Sequence, residues 1–239
     1  LIQKQRSTDL FIYNGKDESI QSYLQEKPAV AERQIVNDGF YRKGILEYDE
    51  KTRFDMTQCS LKGPHNMFNT MCAIHAAKRL GVGDEAIQLA LNTFTNAPHR
   101  LEWVTDIDGV DYINDSKATN VDAVYYALLA MEKPIVMIMG GQDKGNDYEM
   151  ILDLVRQKVK AIVCLGLDNR KIVETFRSIV DIIEETQDTT VAVNKARALA
   201  HSGDVVLLSP ACASFDLFKN YAVRGDEFKK AVLRLAASI

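Results

Sequence analysis

The stretch PIVMIMGGQDKGNDYEMILDLVRQKVKAIVCLGLDNRKIVETF, residues 134–176, decides how the second half of this chain folds. Residues 135–139 (IVMIM) form an unbroken apolar run of strand length, and residues 161–165 (AIVCL) form another. Such runs belong to strands buried on both faces. Residues 148–159 between them, and 170–179 after them, carry apolar side chains at helical spacing. Strand, helix, strand, helix in this order is the repeating unit of a parallel sheet. Further on, 181–184 and 204–208 read as two more strands, 190–200 as a helix, and the remainder to 239 as a final helical stretch. Upstream, 101–105 and 110–114 flank the turn dipeptide Asp108-Gly109, a hairpin signal, and a helix follows at 121–131. The alternation predicts right-handed crossovers and a doubly wound, Rossmann-like, mostly parallel α/β sheet.

The texture differs on the other side of Pro98. Residues 9–14 read as a short strand ending at Asn14-Gly15, 17–25 as a polar helix, and 44–48 as one of several weak strand candidates. Two helices follow, 66–80 ended by Gly81 and 84–94 with Asp84 as its N-cap. Residues 81–86 (GVGDEA) fit the dinucleotide pattern GxGxxA, but a helix rather than a strand precedes them, so they read as a turn between helices. No GxxxxGK[ST], HExxH or GxSxG occurs. Two units are expected, 1–97 and 98–239.

Composition narrows the classes. The 239 residues fit one large or two modest domains at about 150 residues each. A hydrophobic share of 46% supplies a core and excludes a disordered or collagenous chain. Against 33 acidic residues stand 29 basic ones, and a net charge of −4 argues against nucleic acid or an anionic membrane as the main partner. No apolar run approaches the ~20 residues that span a bilayer. The start, LIQKQRSTDL, lacks a signal-peptide pattern and an initiator methionine, so the chain is expected to be part of a longer protein. Cys59, Cys72, Cys164 and Cys212 have no metal or redox spacing and read as small hydrophobes in a reducing cytosol.

In open α/β sheets ligands bind at the carboxyl ends of the strands. Three loops meet that description: NDSKATN (114–120), GGQDKGND (140–147) and SPACASFD (209–216), the last ending at a predicted helix start at Ser214. Taken singly, the first and third could be helix caps and the second a solvated turn. Together on one edge, Lys117, Thr119, Lys144 and Ser214 suit a small dianion such as a dicarboxylate. Of the histidines, His65 and His99 lie near other polar candidates, whereas His75 and His201 read as structural.

The segments GPHNMFN (63–69), NAPHRLEWV (96–104), INDSKATNVDA (113–123), MGGQDKGNDY (139–148) and LSPACASFDLFKNYAVRGDEFK (208–229) resemble the Mur ligase family. Within it, NDSKATN and SPACASFD are similar to the branch that adds D-glutamate to UDP-N-acetylmuramoyl-L-alanine. The likeness runs strongly from about residue 62 to the end and more weakly before it. It implies an ADP-forming, cytoplasmic amide ligase using ATP and Mg²⁺, in which an acyl phosphate is attacked by the D-glutamate amine. It implies further that 1–97 is the end of an incomplete α/β central ATPase domain and that 98–239 is the C-terminal domain. The UDP-sugar domain, P-loop and metal ligands would lie outside this chain, which by itself is expected to be inactive and to hold neither a catalytic residue nor a metal site.

Residue by residue, the resemblance gives Asn66 and Asn69 to the adenine side, Arg100 to the phosphate or base, and Asp115 to the ribose. It gives Lys117, Thr119, Lys144, Ser214, Phe215 and Tyr221 to D-glutamate, with Phe215 and Tyr221 at positions where the family pattern is loose. A sibling ligase or a folylpolyglutamate synthase relative is the alternative in the same class, and NDSKATN argues against both. The alternative in another class is a nucleotide- or amino-acid-binding module without catalysis.

Overall fold

The computed structural model describes residues 2–37, 40–61 and 63–238, which form two compact units, Leu1–Thr95 and Asn96–Ile239. In the first unit, β1 (Leu10–Asn14) leads to α1 (Glu18–Glu26), whose N-cap Asp17 accepts a hydrogen bond from Ile20 N at 2.9 Å. Next come β2 (Glu32–Val36), parallel to β1, and an antiparallel sheet of β3 (Tyr41–Arg42), β4 (Ile45–Glu47) and β5 (Arg53–Asp55). Two helices close the unit, α2 (Pro64–Arg79) and α3 (Asp84–Thr93). Leu46, Phe54, Met67, Met71, Ile74 and Ile87 meet in its core. The expected cap at Asp84 is corrected: Gly83 holds the extended cap position, and Asp84 is the first helical residue, ion-paired with Lys78 at 2.6 Å. An acid in the first turn suits the helix dipole.

In the second unit, β6 (Glu102–Ile107) and β7 (Val110–Asn114) form the hairpin. Then follow α4 (Val121–Ala130), β8 (Ile135–Met139) and α5 (Leu152–Lys158), the last entered through a 3-10 turn over Glu149–Ile151. After them come β9 (Val159–Leu165), α6 (Arg170–Phe176), β10 (Ile182–Thr186), α7 (Thr189–Leu199), β11 (Val205–Leu208) and α8 (Tyr221–Ala237). Six strands form one sheet in the order β10-β9-β8-β11-β7-β6, parallel except for β6. Alternate residues serve opposite faces. Ile135, Met137 and Met139 pack with α4, α5 and α6, while Val136 and Ile138 pack with α7 and α8. Both faces are covered, which is why the strands read as continuous apolar runs.

Because β8, β11 and β7 are adjacent and parallel, the loops that leave their carboxyl ends lie side by side. These are the three loops singled out in the sequence. One expectation fails here: no helix begins at Ser214. Residues 214–220 are turns, and α8 starts at Tyr221, capped by Asn220, whose side chain accepts from Val223 N at 2.9 Å. Among the described residues no helix is long and apolar enough to cross a membrane.

Candidate functional site

The first loop leaves β7 at Asn114. Asp115 follows it, 5% exposed, and its carboxylate accepts from Leu101 N at 3.1 Å and from Ser209 Oγ at 2.9 Å. Burial pushes its pKa up to about 7, against the hydrogen bonds from Ser209 and Leu101 and the charge of Arg100. Asp115 thus ties the first loop to the third. Ser116, also buried, donates Oγ to Tyr221 O at 2.7 Å, which fixes the start of α8. Lys117 and Thr119 stand further out, and Lys117 Nζ lies 5.6 Å from the centroid of the Tyr221 ring. The structure therefore brings Lys117 and Tyr221 together.

The second loop turns on Gly141, at φ +127, where a Cβ would meet Ala213 O at 2.3 Å. Only glycine permits that approach, which lets Gln142 and Ala213 pair across the two loops, N to O at 2.8 Å and 3.1 Å. Lys144 sits at the exposed tip. In the third loop Ser214 is buried, 2% exposed, whereas Phe215 next to it is 68% exposed.

Sequence reasoning missed the residue that joins all three loops. Arg224, 1% exposed, donates Nε to Ser116 Oγ at 3.0 Å and Nη2 to Ser116 O at 2.9 Å. Its terminal nitrogens also reach Cys212 O at 3.2 and 3.1 Å and Gly140 O at 3.4 Å. One guanidinium thus gathers carbonyls from the loops after β7, β8 and β11. Burial lowers its pKa to about 10, with Cys212 and Asp216 acting the other way, so it stays charged at neutral pH. A signal was present in the sequence. Arg224 begins the apolar stripe of α8 that continues at Phe228, Ala231 and Val232, and a charge in such a stripe calls for a buried partner.

His99 forms a second hub. It is 7% exposed, and Nδ1 lies 3.0 Å from Asn114 Nδ2, which also donates to Glu102 Oε2 at 3.0 Å. Glu102 in turn accepts from His99 N at 2.9 Å and from Lys229 Nζ at 3.1 Å. Burial raises the Glu102 pKa, but these bonds and the Lys229 charge outweigh it and hold the carboxyl below its usual range. Arg100, beside this hub, presents an exposed guanidinium.

In the first unit, Asn66 is buried at the start of α2, and Asn69 is exposed. Asn69 borders an apolar groove of about 410 Å³ between α2 and α3, lined also by Ile74, Ile87 and Phe94. His75 stacks against Tyr48 with centroids 4.7 Å apart, in keeping with a structural role, and His201 is exposed just beyond α7. In the second unit a cleft of about 470 Å³ opens between the loops after β8 and β9, lined by Gly141, Gln142, Asp143 and Lys171. It contains none of Lys117, Thr119, Lys144 and Ser214. Among the described residues no group of three or more His, Cys, Asp or Glu is placed to hold a metal ion. The four cysteines are free, and Cys212 lies 3.5 Å from Tyr148 Oη.

Residues 99–212 match the family described as Mur ligase, glutamate ligase domain. A UDP-N-acetylmuramoylalanine–D-glutamate ligase of Christiangramia forsetii is 44% identical over 98% of this chain and 55% of its own length. That of Cytophaga hutchinsonii is 43% identical over 99% of this chain and 55% of its own length. The chain thus spans about half the length of the curated relatives it matches. The crystal structure of a MurF ligase from Thermotoga maritima in complex with ADP superposes with a TM-score of 0.66 at 15% identity, covering 98% of this chain and 56% of that one, which shows a shared fold.

Proposed function

This chain belongs to the Mur ligase family, and on that premise we propose that it is the C-terminal half of the ATP-dependent ligase that adds D-glutamate to UDP-N-acetylmuramoyl-L-alanine for peptidoglycan. The observation that carries the reading is the set of cations at one sheet edge. Lys117 and Lys144 project from the loops on either side of the β11 loop without a carboxylate partner among the described residues, while beneath them Arg224 bonds to Ser116 and Ser209 to Asp115. An edge built in this way is prepared for an anion from outside.

In the reaction, a carboxylate of UDP-N-acetylmuramoyl-L-alanine is activated as an acyl phosphate by ATP. The amine of D-glutamate attacks the acyl carbon, phosphate leaves, and an amide forms. The part proposed for this chain is positioning. Lys117, Thr119, Lys144 and Ser214 hold the two carboxylates of D-glutamate, with Phe215 and Tyr221 bordering the site. Asp115 accepts the ribose hydroxyls of the nucleotide, and Arg100 takes the phosphate or stacks on the base. Asn66 and Asn69, in the first unit, offer amide donors and acceptors to adenine. Among the described residues no group of three or more His, Cys, Asp or Glu is placed to hold magnesium, and no step is assigned to a metal here.

We assign residues 1–97 to the central ATP-binding domain and 98–239 to the C-terminal domain of a cytoplasmic enzyme. Residues 1–239 alone, which hold no GxxxxGK[ST], are expected not to turn over ATP. The test is phosphate release by the full-length protein with UDP-N-acetylmuramoyl-L-alanine and ATP. Release that depends on D-glutamate supports the reading. Dependence on another amino acid, with D-glutamate inert, would replace it by a sibling ligase.

A further inference from the structure

The loop that carries Lys144 is braced on both sides of that residue. On one side Asp143 Oδ1 accepts from Gly145 N at 2.6 Å and from Asn146 N at 3.0 Å, closing a tight turn around the lysine. Its other oxygen accepts from Tyr148 Oη at 3.3 Å, and Lys171 Nζ on α6 lies 3.6 Å from Oδ1. On the other side the Asn146 amide donates to Ala211 O at 3.1 Å and so reaches the third loop. The same amide lies 3.3 Å from Tyr148 Oη and 3.4 Å from Cys212 Sγ. Lys144, between these two anchors, makes no hydrogen bond or ion pair among the described residues.

This arrangement has a second consequence, in charge. A carboxylate one residue from Lys144 would oppose the positive field that an anion has to sense. Lys171 answers it from α6, and the backbone N–H groups of Gly145 and Asn146 take up Asp143 Oδ1. Burial works to raise the Asp143 pKa, but those N–H groups and Lys171 outweigh it and hold the carboxyl below its usual range. Asp143 therefore remains an ionised acceptor whose charge is locally matched, and the charge of Lys144 stays uncompensated.

We propose that Asp143 and Asn146 are positioning residues that aim Lys144 at a carboxylate of D-glutamate, an inference that rests on the reading of the sheet edge as the D-glutamate site. Neither residue touches the substrate. Their effect passes through the geometry of one lysine, which separates them from general supports of the fold.

The experiment is steady-state kinetics on the full-length protein, with D-glutamate and ATP varied in turn. Asn146→Ala and Asp143→Ala should each raise KM for D-glutamate roughly three- to tenfold and leave KM for ATP within about twofold. Asp143→Asn keeps an acceptor oxygen for the two N–H groups and should recover most of the loss. In a Lys144→Ala background the Asn146→Ala change should add less than about twofold, because the group being aimed is gone. An undiminished Asn146→Ala effect in that background, or an equal rise in KM for ATP, would overturn the proposal. If Asn146→Ala does not fold, the Asp143→Ala and Asp143→Asn pair in the Lys144→Ala background decides by the same comparison. A Lys144→Ala protein with unchanged KM for D-glutamate has a different meaning: the sheet edge is then not the D-glutamate site, and the aiming role falls with it.

Discussion

Both terminal nitrogens of Arg224 donate to the carbonyl of Cys212, at 3.2 and 3.1 Å, although the two residues belong to different elements at the sheet edge. The same guanidinium binds Ser116 through Nε and Nη2. Arginine suits this place because its planar fork presents several donors at once, whereas lysine offers a single ammonium. Arg224→Ala should therefore cost about 3–5 kcal/mol, by leaving buried carbonyls without donors and a cavity behind. Arg224→Lys should fall between wild type and alanine. Urea denaturation of the two variants is the measurement, and a loss below about 1 kcal/mol for alanine would show that the loops hold together without this residue.

A close approach explains Gly225, which neighbours Arg224 on α8. A Cβ there would stand 2.3 Å from His99 Nδ1, inside the hydrogen bond that His99 makes with Asn114 at 3.0 Å. Gly225→Ala should destabilise by about 2–4 kcal/mol, from overpacking together with a broken buried hydrogen bond. The cause can be isolated. Adding His99→Ala removes the ring that is struck, so the double variant should lose less than the sum of the two single losses. Strict additivity would place the damage elsewhere.

The sheet was legible because its strands are buried on both faces. Ile135–Met139 leaves no polar position to confuse the reading, and the strand found has those bounds. The small strands β2, β3 and β5 were not resolved one by one, since Tyr41–Arg42 and Arg53–Asp55 are too short and too polar to carry a pattern. At the sheet edge the loops were found but not what joins them. Hydrogen bonds from Arg224 to Ser116 span 108 residues, about three quarters of the unit, and no local spacing announces such a pair. The sequence predicts a helix start at Ser214, whereas a run of turns delays α8 until Asn220 supplies the capping side chain.

Lys144 and Ser214 should respond differently when replaced in the full-length enzyme. Lys144 is exposed and free to meet a carboxylate, and a charge-assisted bond is worth roughly 1.5–3 kcal/mol. Its loss corresponds to a rise in KM for D-glutamate of roughly ten- to a hundred-and-fifty-fold, with little change for ATP. Ser214 is neutral, and Ser214→Ala should cost only about 0.5–1.5 kcal/mol in the same assay. Varying each substrate in turn separates the two sites. A rise confined to the ATP constant for Lys144→Ala would move that lysine to the nucleotide.

Asp115 makes stability depend on pH. Its carboxyl titrates near 7 in the folded protein, against an ordinary value of 3.8, because burial disfavours the charge. Between those values the folded state keeps a proton that the unfolded state has released. Stability must then fall as pH rises through that window, and the loss is complete above it. A shift of this size corresponds to a contribution on the order of a few kcal/mol. Other titrating groups add their own slopes, so the informative quantity is a difference between two proteins. Asp115→Asn keeps the shape and an acceptor but cannot titrate. Denaturation midpoints of the unliganded protein, taken at intervals from pH 4.5 to 8, should converge with those of Asp115→Asn at the acidic end. Above pH 7 the wild type should be the less stable of the two by an amount that no longer grows. Parallel curves over the whole range would mean that Asp115 is ionised throughout and that the hydrogen bonds from Ser209 and Leu101 outweigh its burial.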